Sequence, residues 1–145
     1  MTDNRSNYRK ILEASLRGDF DDAERLNAEF SDIPFSDSAV LVGAVFYLAV
    51  KHRFSGGADH ATVKAFIDEA LAEYANAQPP IKPLTAEALV RAALGETELM
   101  QGIGAEEAVP VQMSLVYKIV ADAELSHADI SALLDKGEKL ATSWS

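Results

Sequence analysis

The three histidines are the side chains best suited to acid–base or metal chemistry, and one of them completes a known spacing. Glu124 and His127 form a Glu-x-x-His sequence, by which helical bundles build carboxylate-bridged metal centres. Such a di-iron centre needs two copies of the motif and two further glutamates, and the chain carries one copy. Ser126 suits a helix cap, which would put Glu124 and His127 on opposite sides of a helix break. We therefore predict no metal site.

The other two histidines also lie beside charged residues. Asp59 and His60 follow a pair of glycines, and an imidazole beside a carboxylate could act as a general base. The chain has no cysteine, and no serine lies in a recognisable nucleophile elbow, so the base has nothing evident to activate. Lys51, His52 and Arg53 could bind a phosphate, but cations at the C-terminal end of a helix explain them more simply. We predict no catalytic residue and no cofactor, and we lean against an enzyme.

The chain is acidic, with a formal net charge of −10. Residues 84–145 carry 4 basic and 10 acidic side chains, so the acidity lies mainly in the C-terminal part. This charge repels a phosphate backbone, and we predict no direct nucleic-acid binding. It suits a basic partner instead, and one hypothesis is an acidic inhibitor or immunity-type protein that occupies the basic site of an enzyme. The carboxylates that would make this contact are Glu96, Glu98, Glu106, Glu107, Asp122 and Glu124.

Twelve consecutive residues, from Ala39 to Val50, carry no charged or strongly polar side chain. As a helix they span roughly 18 Å, too short for a hydrocarbon core of about 30 Å. A short helix that is apolar on all sides is typical of the centre of a domain. We predict a central apolar helix over 37–52, capped by Ser36 or Asp37, and no membrane partner. Gly43 is expected to admit a neighbouring helix, so that Gly43→Leu would overpack the core.

The rest of the sequence has helical periodicity and lacks the alternating pattern of strands. We predict an all-α fold: one domain over 1–145, formed by a bundle of about six to seven helices. An N-terminal helical hairpin occupies 6–31. A proline-rich linker lies at 78–83, because its prolines remove backbone donors. The predicted helix caps are Asp19, Asp59, Thr85 and Ser126, with Pro110 in the first turn of a sixth helix and a short helical segment around 98–101.

Residues Gly18 to Ala23, with the sequence GDFDDA, resemble the turn between the two helices of a tetratricopeptide repeat. In that family a small residue, an acidic cap and an aromatic residue precede the alanine where the helices pack closely. No second copy follows, and most of the family's other small and aromatic positions differ here; aligned on Ala23, they fall on Asn7, Lys10, Ile11, Asn27 and Phe30. The resemblance implies a helical hairpin over 6–31 and does not extend to the family's peptide-binding role.

Since the sequence supplies no catalytic group, the leading hypothesis is a non-enzymatic protein–protein interaction or adaptor module, acting on another protein or by self-association as a homodimer. The lack of cysteine and of an apolar leader fits the cytoplasm. Four apolar side chains at the ends of elements are candidates for the exposed contact: Phe35, Phe54, Ile81 and Trp144. The remaining alternative is a small-molecule pocket or enzyme site between helices, lined by Tyr47, Tyr74, Tyr117 and the histidines.

Overall fold

The computed structural model describes residues 4–76 and 80–144, and every regular element in them is helical. Seven α-helices and one short 3-10 helix form a single bundle within those residues, which confirms the predicted fold class. In chain order the elements are α1 (Asn4–Leu16), α2 (Phe20–Glu29), α3 (Phe35–Arg53), α4 (His60–Glu73), α5 (Pro83–Ala93), the 3-10 helix (Thr97–Met100), α6 (Ala105–Asp122) and α7 (His127–Trp144).

Three predicted helix caps are confirmed by their hydrogen bonds. The carboxylate of Asp19 accepts the backbone N–H three residues on, at 3.4 Å, and begins α2. Asp59 accepts both the backbone N–H and the hydroxyl of Thr62 at 2.8 Å, and begins α4. The backbone N–H of Asp129 donates to Ser126 Oγ at 3.1 Å, and the N–H of Ser126 donates back to Asp129 at 3.4 Å. This reciprocal pair is a capping box, and it separates α7 from α6.

The central helix begins earlier than its sequence predicts. α3 starts at Phe35, and neither Ser36 nor Asp37 caps it. Pro34 occupies the boundary with φ −60° and ψ 139°, because its ring fixes φ and supplies the extended residue that precedes a helix. Asp37 lies in the first turn instead, where it accepts a hydrogen bond from Asn4 Nδ2 at 3.1 Å.

The starts of α5 and α6 are corrected in the same way. α5 begins at Pro83, since a proline fits the first helical position, where its missing N–H costs no hydrogen bond. Thr85 therefore lies inside the helix and caps nothing; its hydroxyl donates to Glu107 Oε2 at 2.6 Å and ties α5 to α6. α6 begins at Ala105, which places Pro110 beyond the first turn.

The predicted linker at 78–83 lies partly outside the described residues, which omit 77–79. Pro80 to Lys82 are not helical, whereas Pro83 already belongs to α5. Ile81 is 9% exposed and joins the hydrophobic core, so this end of the connection is anchored to the bundle.

α3 lies at the centre of the bundle, as its composition predicts. Its main neighbours are α6 and α7, and α1 and α5 also contact it. Leu41, Ala44 and Val50 of this helix are completely buried. α1 and α2 form the predicted hairpin, and α4 packs mainly against α5. None of the described helices is long and apolar enough to cross a bilayer.

The closest approach to a helical glycine occurs on α7 and not at Gly43. A Cβ atom at Gly43 would meet only Trp144 Cζ3, at an ordinary distance of 3.8 Å. A Cβ atom at Gly137 would lie 2.6 Å from Val45 Cγ2, which is too close for an undisturbed contact. A Cβ atom at Gly43 therefore has room beside the groove, and the overpacking expected of the larger leucine side chain in Gly43→Leu stays a prediction.

Candidate functional site

An apolar groove opens where the C-terminal end of α7 meets the central helix. It has a volume of about 280 Å³ and receives residues from five elements: α3, α5, the 3-10 helix, α6 and α7. Its apolar lining includes Gly43, Phe46, Leu89, Ala92, Ala93 and Met100. Met100 is partly exposed at the surface, and a flexible thioether suits a surface that adapts to different shapes. We refer to this feature as the Trp144 groove.

Trp144 and Tyr47 form the aromatic side of the groove. Trp144 is 52% exposed, and its ring lies edge-to-face against Tyr47 with centroids 6.2 Å apart. The indole is thus held by a neighbour on one side and left uncovered on the other. Large aromatic side chains in this state contribute most to the binding energy of protein interfaces. Of the four predicted contact residues, Trp144 is the one that lines a groove while staying exposed.

Gln112 is a polar side chain among the apolar residues of the groove. It is 7% exposed and comes from the buried face of α6. Its side-chain amide has no hydrogen-bond partner among residues 4–76 and 80–144, although such a buried amide normally has one. Every fully enclosed side-chain nitrogen or oxygen in those residues has a hydrogen-bond partner. Since the amide of Gln112 has none, it is not fully enclosed and reaches solvent through the groove. The groove therefore offers both apolar contact and an unused hydrogen-bonding group.

The side of the groove next to the 3-10 helix is acidic. Glu96 and Glu98 flank Thr97, which lines the groove. Arg91 Nε and Nη2 each donate to Glu96 at 2.8 Å, and these hydrogen bonds hold the pKa of Glu96 below its ordinary value. Glu98 is exposed and has no ion pair within the described part of the chain. Glu98 still interacts electrostatically with Arg91, which also faces Glu87 and Glu96, so the negative charge next to Thr97 is only partly compensated.

The other three predicted apolar contacts lie elsewhere. Phe35 is 48% exposed at the first residue of α3 and does not line the groove. The expected exposure of Phe54 and Ile81 is wrong. Phe54 is 7% exposed because it closes the end of α3 against the ring of Phe66, with centroids 5.5 Å apart. Ile81 is buried because it anchors the start of α5, so neither residue offers an apolar surface to a partner.

The acidic residues considered for a basic partner are divided between separate places. Glu106 and Glu107 lie in the first turn of α6 beside a different pocket of about 210 Å³. Asp122 lies at the opposite end of this helix and is engaged in two internal ion pairs. Only Glu96 and Glu98 lie beside the Trp144 groove. The hypothesis of one acidic surface made of all six carboxylates does not fit this arrangement.

The side chains of the alternative pocket are divided between several places, although Tyr74 and Tyr117 lie close enough to interact electrostatically. Burial is the main cause that raises the pKa of Tyr74, and the charge of Tyr117 adds to it. Tyr47 lies in the groove, whereas Tyr117 stacks on an aromatic ring of α2 with centroids 6.1 Å apart. His60 Nε2 lies 3.5 Å from a carboxylate oxygen of Glu96, and His52 lines a third pocket near the end of α3. His52 and Tyr47 therefore line different pockets.

The structure also places the Glu-x-x-His pair. Glu124 follows the end of α6 with a left-handed φ of 50°, and His127 is the first residue of α7. The predicted helix break between them is confirmed, since Ser126 caps α7. In the residues that the structure describes, no cluster of three or more histidine, aspartate and glutamate side chains could hold a metal ion.

A buried lysine is the feature that sequence reasoning misses. Lys118 is 1% exposed on α6; its Nζ lies 3.0 Å from Asp122 and 3.3 Å from Glu69, and it also contacts Glu73. Burial acts to lower the pKa of Lys118, but the hydrogen bonds to these carboxylates outweigh it and raise that pKa. The ammonium group therefore stays charged and joins α4 to α6, so it has no free base to offer a reaction. Only the four-residue spacing from Lys118 to Asp122 hinted at a pair.

No protein-family model matches the chain, and no curated protein or solved structure matches it. The helical hairpin expected over residues 6–31 is present in the structure. α1 and α2 form the hairpin, Asp19 caps α2, and Ala23 is buried. The aromatic residue of the motif, Phe20, is 58% exposed and packs on Tyr117.

Proposed function

We propose that this protein is an interaction module whose Trp144 groove binds an amphipathic helix of a partner protein. The observation that carries the proposal is Gln112, which is almost fully buried in the groove and has no hydrogen-bond partner in the described residues. Because the amide reaches solvent through the groove, a partner that covers it without pairing would pay for its desolvation. A partner that supplies a hydrogen bond avoids this loss, so the amide favours polar complementarity in the complex.

The shape of the groove favours a helix as the occupant. Strand addition to a sheet edge is one way to bind an extended peptide, and the described residues contain no strand that could take part in it. A groove between helices instead receives apolar side chains that recur every three or four residues on a helix. The volume of about 280 Å³ is small for a site that encloses a ligand, typically about 300–1,000 Å³. It suits one or two anchoring side chains beside the exposed ring of Trp144.

The charge around the groove favours a basic partner. Glu98 is unpaired there, and the whole chain carries a net charge of −10. A partner helix with lysine or arginine beside its apolar face would gain speed of association and specificity from this field. We therefore propose that a basic partner contacts the acidic residues next to the 3-10 helix, and not a surface made of all six carboxylates.

A displayed library of helical peptides, selected on the wild-type protein, tests the proposal. The blocking variant is Gly43→Leu, because Gly43 lines the groove and an added Cβ atom there already lies 3.8 Å from Trp144 Cζ3. Ala61→Leu is the matched control, since it adds the same side chain at an exposed position of α4. Selected peptides are expected to bind the wild type and the control equally, and Gly43→Leu at least about tenfold more weakly. Trp144, the only tryptophan, reports binding by its fluorescence.

Two results would overturn the proposal. The first is a set of peptides that bind the wild type and Gly43→Leu equally, which would place their site elsewhere. The second is a homodimer that Trp144→Ala disrupts, which would make a second copy of this chain the occupant. Enrichment of apolar peptides with basic flanking residues, and weaker binding at high salt, would support it.

A further inference from the structure

We propose a second binding site, for an amphipathic organic anion, in the pocket between the C-terminal end of α3 and the first half of α7. This site goes beyond the proposed function, since none of its residues lines the Trp144 groove. Its volume of about 470 Å³ lies within the range of about 300–1,000 Å³ typical of small-molecule sites. Its apolar lining includes Leu48, Ala49, Ile119, Leu125 and Leu133.

The charged residues of this pocket are mainly basic. Lys51 and His52 come from the last turn of α3, and Lys136 comes from α7. None of the three forms an ion pair within residues 4–76 and 80–144, although most of the other lysines and arginines there do. The ammonium group of Lys51 lies 6.0 Å from the ring centroid of Tyr47, a weak cation–π contact that leaves it exposed. Asp129 is the one acidic residue of the lining, and its carboxylate accepts the backbone N–H of Ser126 in the cap of α7.

The position of Lys136 favours a binding site over the simpler explanation, in which the basic residues only stabilise the end of a helix. Lys51 lies in the last turn of α3, where a cation stabilises the helix end through its dipole. Lys136 lies in the middle of α7, where no such interaction operates. Lys136 and Lys51 are both exposed and bring two ammonium groups to the lining of one apolar pocket. An anion bound in the pocket would pair with both of them.

The chemistry of the pocket identifies the class of ligand. The cations require a negatively charged head group, either a carboxylate or a phosphate. The leucine-rich lining requires an aliphatic part, so a free inorganic anion would leave most of the pocket unused. The expected ligand is therefore an alkyl carboxylate or an alkyl phosphate in free solution.

Calorimetric titration of the full chain with four probes below their micelle concentrations tests this site. Decanoate and decyl phosphate carry the two candidate head groups, decan-1-ol is the neutral analogue, and decyltrimethylammonium is the cationic one. We expect at least one of the two anions to bind. We expect decan-1-ol to bind at least about tenfold more weakly, because it lacks the charge-assisted contacts, and the cation not to bind. The stronger of the two anions identifies the head group.

Matched lysine substitutions locate the binding. Lys136→Gln and Lys51→Gln are each expected to weaken binding of the anion about three- to tenfold and to leave decan-1-ol unchanged. Lys139→Gln is the control, since this lysine is exposed on α7 outside the pocket. Ala132→Phe adds bulk at an exposed position of the lining and is expected to weaken every probe that binds.

Three outcomes would overturn the inference. One is equal affinity for decanoate, decyl phosphate and decan-1-ol, which would reduce the site to a nonspecific apolar surface. Another is an equal effect of Lys139→Gln and Lys136→Gln, which would point to net charge alone. The third is the absence of binding by both anions. The same titrations can be repeated with the Trp144→Ala variant, which alters the groove and leaves this pocket intact. Anion binding that persists in this variant distinguishes the two sites.

Discussion

Gly137 of α7 lies directly against Val45 of α3, so closely that a Cβ atom at Gly137 would be 2.6 Å from Val45 Cγ2. A glycine inside a helix costs about 1 kcal/mol relative to alanine. In the 18-residue helix α7, this cost is offset by the close packing of α7 on the central helix. The separation of these two helices is therefore set by the absence of one methyl group.

Gly137→Ala is expected to lower the free energy of unfolding by about 1–2 kcal/mol, because displacing Val45 costs more than the gain in helix propensity. In a Val45→Ala background the obstructing methyl groups are gone, and the same substitution is expected to raise that free energy by up to about 1 kcal/mol. Urea denaturation of the double-mutant cycle measures the coupling. Equal destabilisation in both backgrounds would show that Val45 is not the obstacle.

Asp122→Asn tests the ion-pair network at the end of α6. Burial acts to raise the pKa of Asp122, but hydrogen bonds from Arg53 and Lys118 outweigh it, so the pKa lies below the ordinary 3.8. A carboxyl group with a depressed native pKa stabilises the fold above pH 3.8 and loses this contribution as the pH falls through its native value. At pH 7 the substitution is expected to cost about 1 kcal/mol, since loss of charge-assisted hydrogen bonds is partly offset at the negative end of the helix dipole.

The test is how the difference in free energy of unfolding between the wild type and Asp122→Asn changes with pH. Urea denaturation is expected to show the gap between the wild type and Asp122→Asn narrowing as the pH is lowered below about 4. Asp68→Asn is the control, because Asp68 forms an exposed ion pair with Lys64 at 3.7 Å, worth less than about 0.5 kcal/mol. A gap that stays constant down to pH 2 would exclude Asp122 as the titrating group.

The helices were predictable from the sequence because the interactions that begin them are local. Asp19, Asp59 and Ser126 each accept a hydrogen bond from a residue three positions away, so their role can be recognised without knowing the tertiary structure. Boundaries next to Pro34 and Pro83 shifted, since a proline can end a loop or occupy the first helical position with the same fixed φ.

The Trp144 groove was not predictable from the sequence, because it contains a buried polar residue, Gln112. The prediction of a core assumes that buried residues are apolar. Gln112 is polar and lies on the buried face of α6, as does Lys118, and hydrophobic periodicity assigns such residues to solvent. The two helical glycines show a related limit. Gly43 and Gly137 both lie inside a helix, and only the packing of α3 against α7 decides which one meets a close neighbour.

Glu124→Gly is expected to stabilise the protein by about 1 kcal/mol. Glu124 has a φ of 50°, and its N–H donates to the carbonyl of Ala121 at 3.1 Å, while the N–H of Leu125 donates to Val120 at 3.2 Å. These bonds form a Schellman motif, in which glycine avoids the strain that a Cβ atom causes. Glu124→Ala keeps the Cβ atom and removes the same charge, so it is the control. Thermal denaturation should rank glycine above alanine, and equal midpoints would contradict the strain.

Gln112→Leu is expected to separate stability from binding. Replacing the unpartnered amide by an apolar side chain of similar size should raise the free energy of unfolding by about 1 kcal/mol, because no internal hydrogen bond within the described residues is lost. Gln101→Leu, at an exposed position, should change it by less than about 0.5 kcal/mol. Peptides selected on the wild-type groove should bind the Gln112→Leu protein about tenfold more weakly, since the leucine cannot pair with their polar group. A destabilised variant would mean that the amide already has a partner, and unchanged affinity would remove Gln112 from the binding surface.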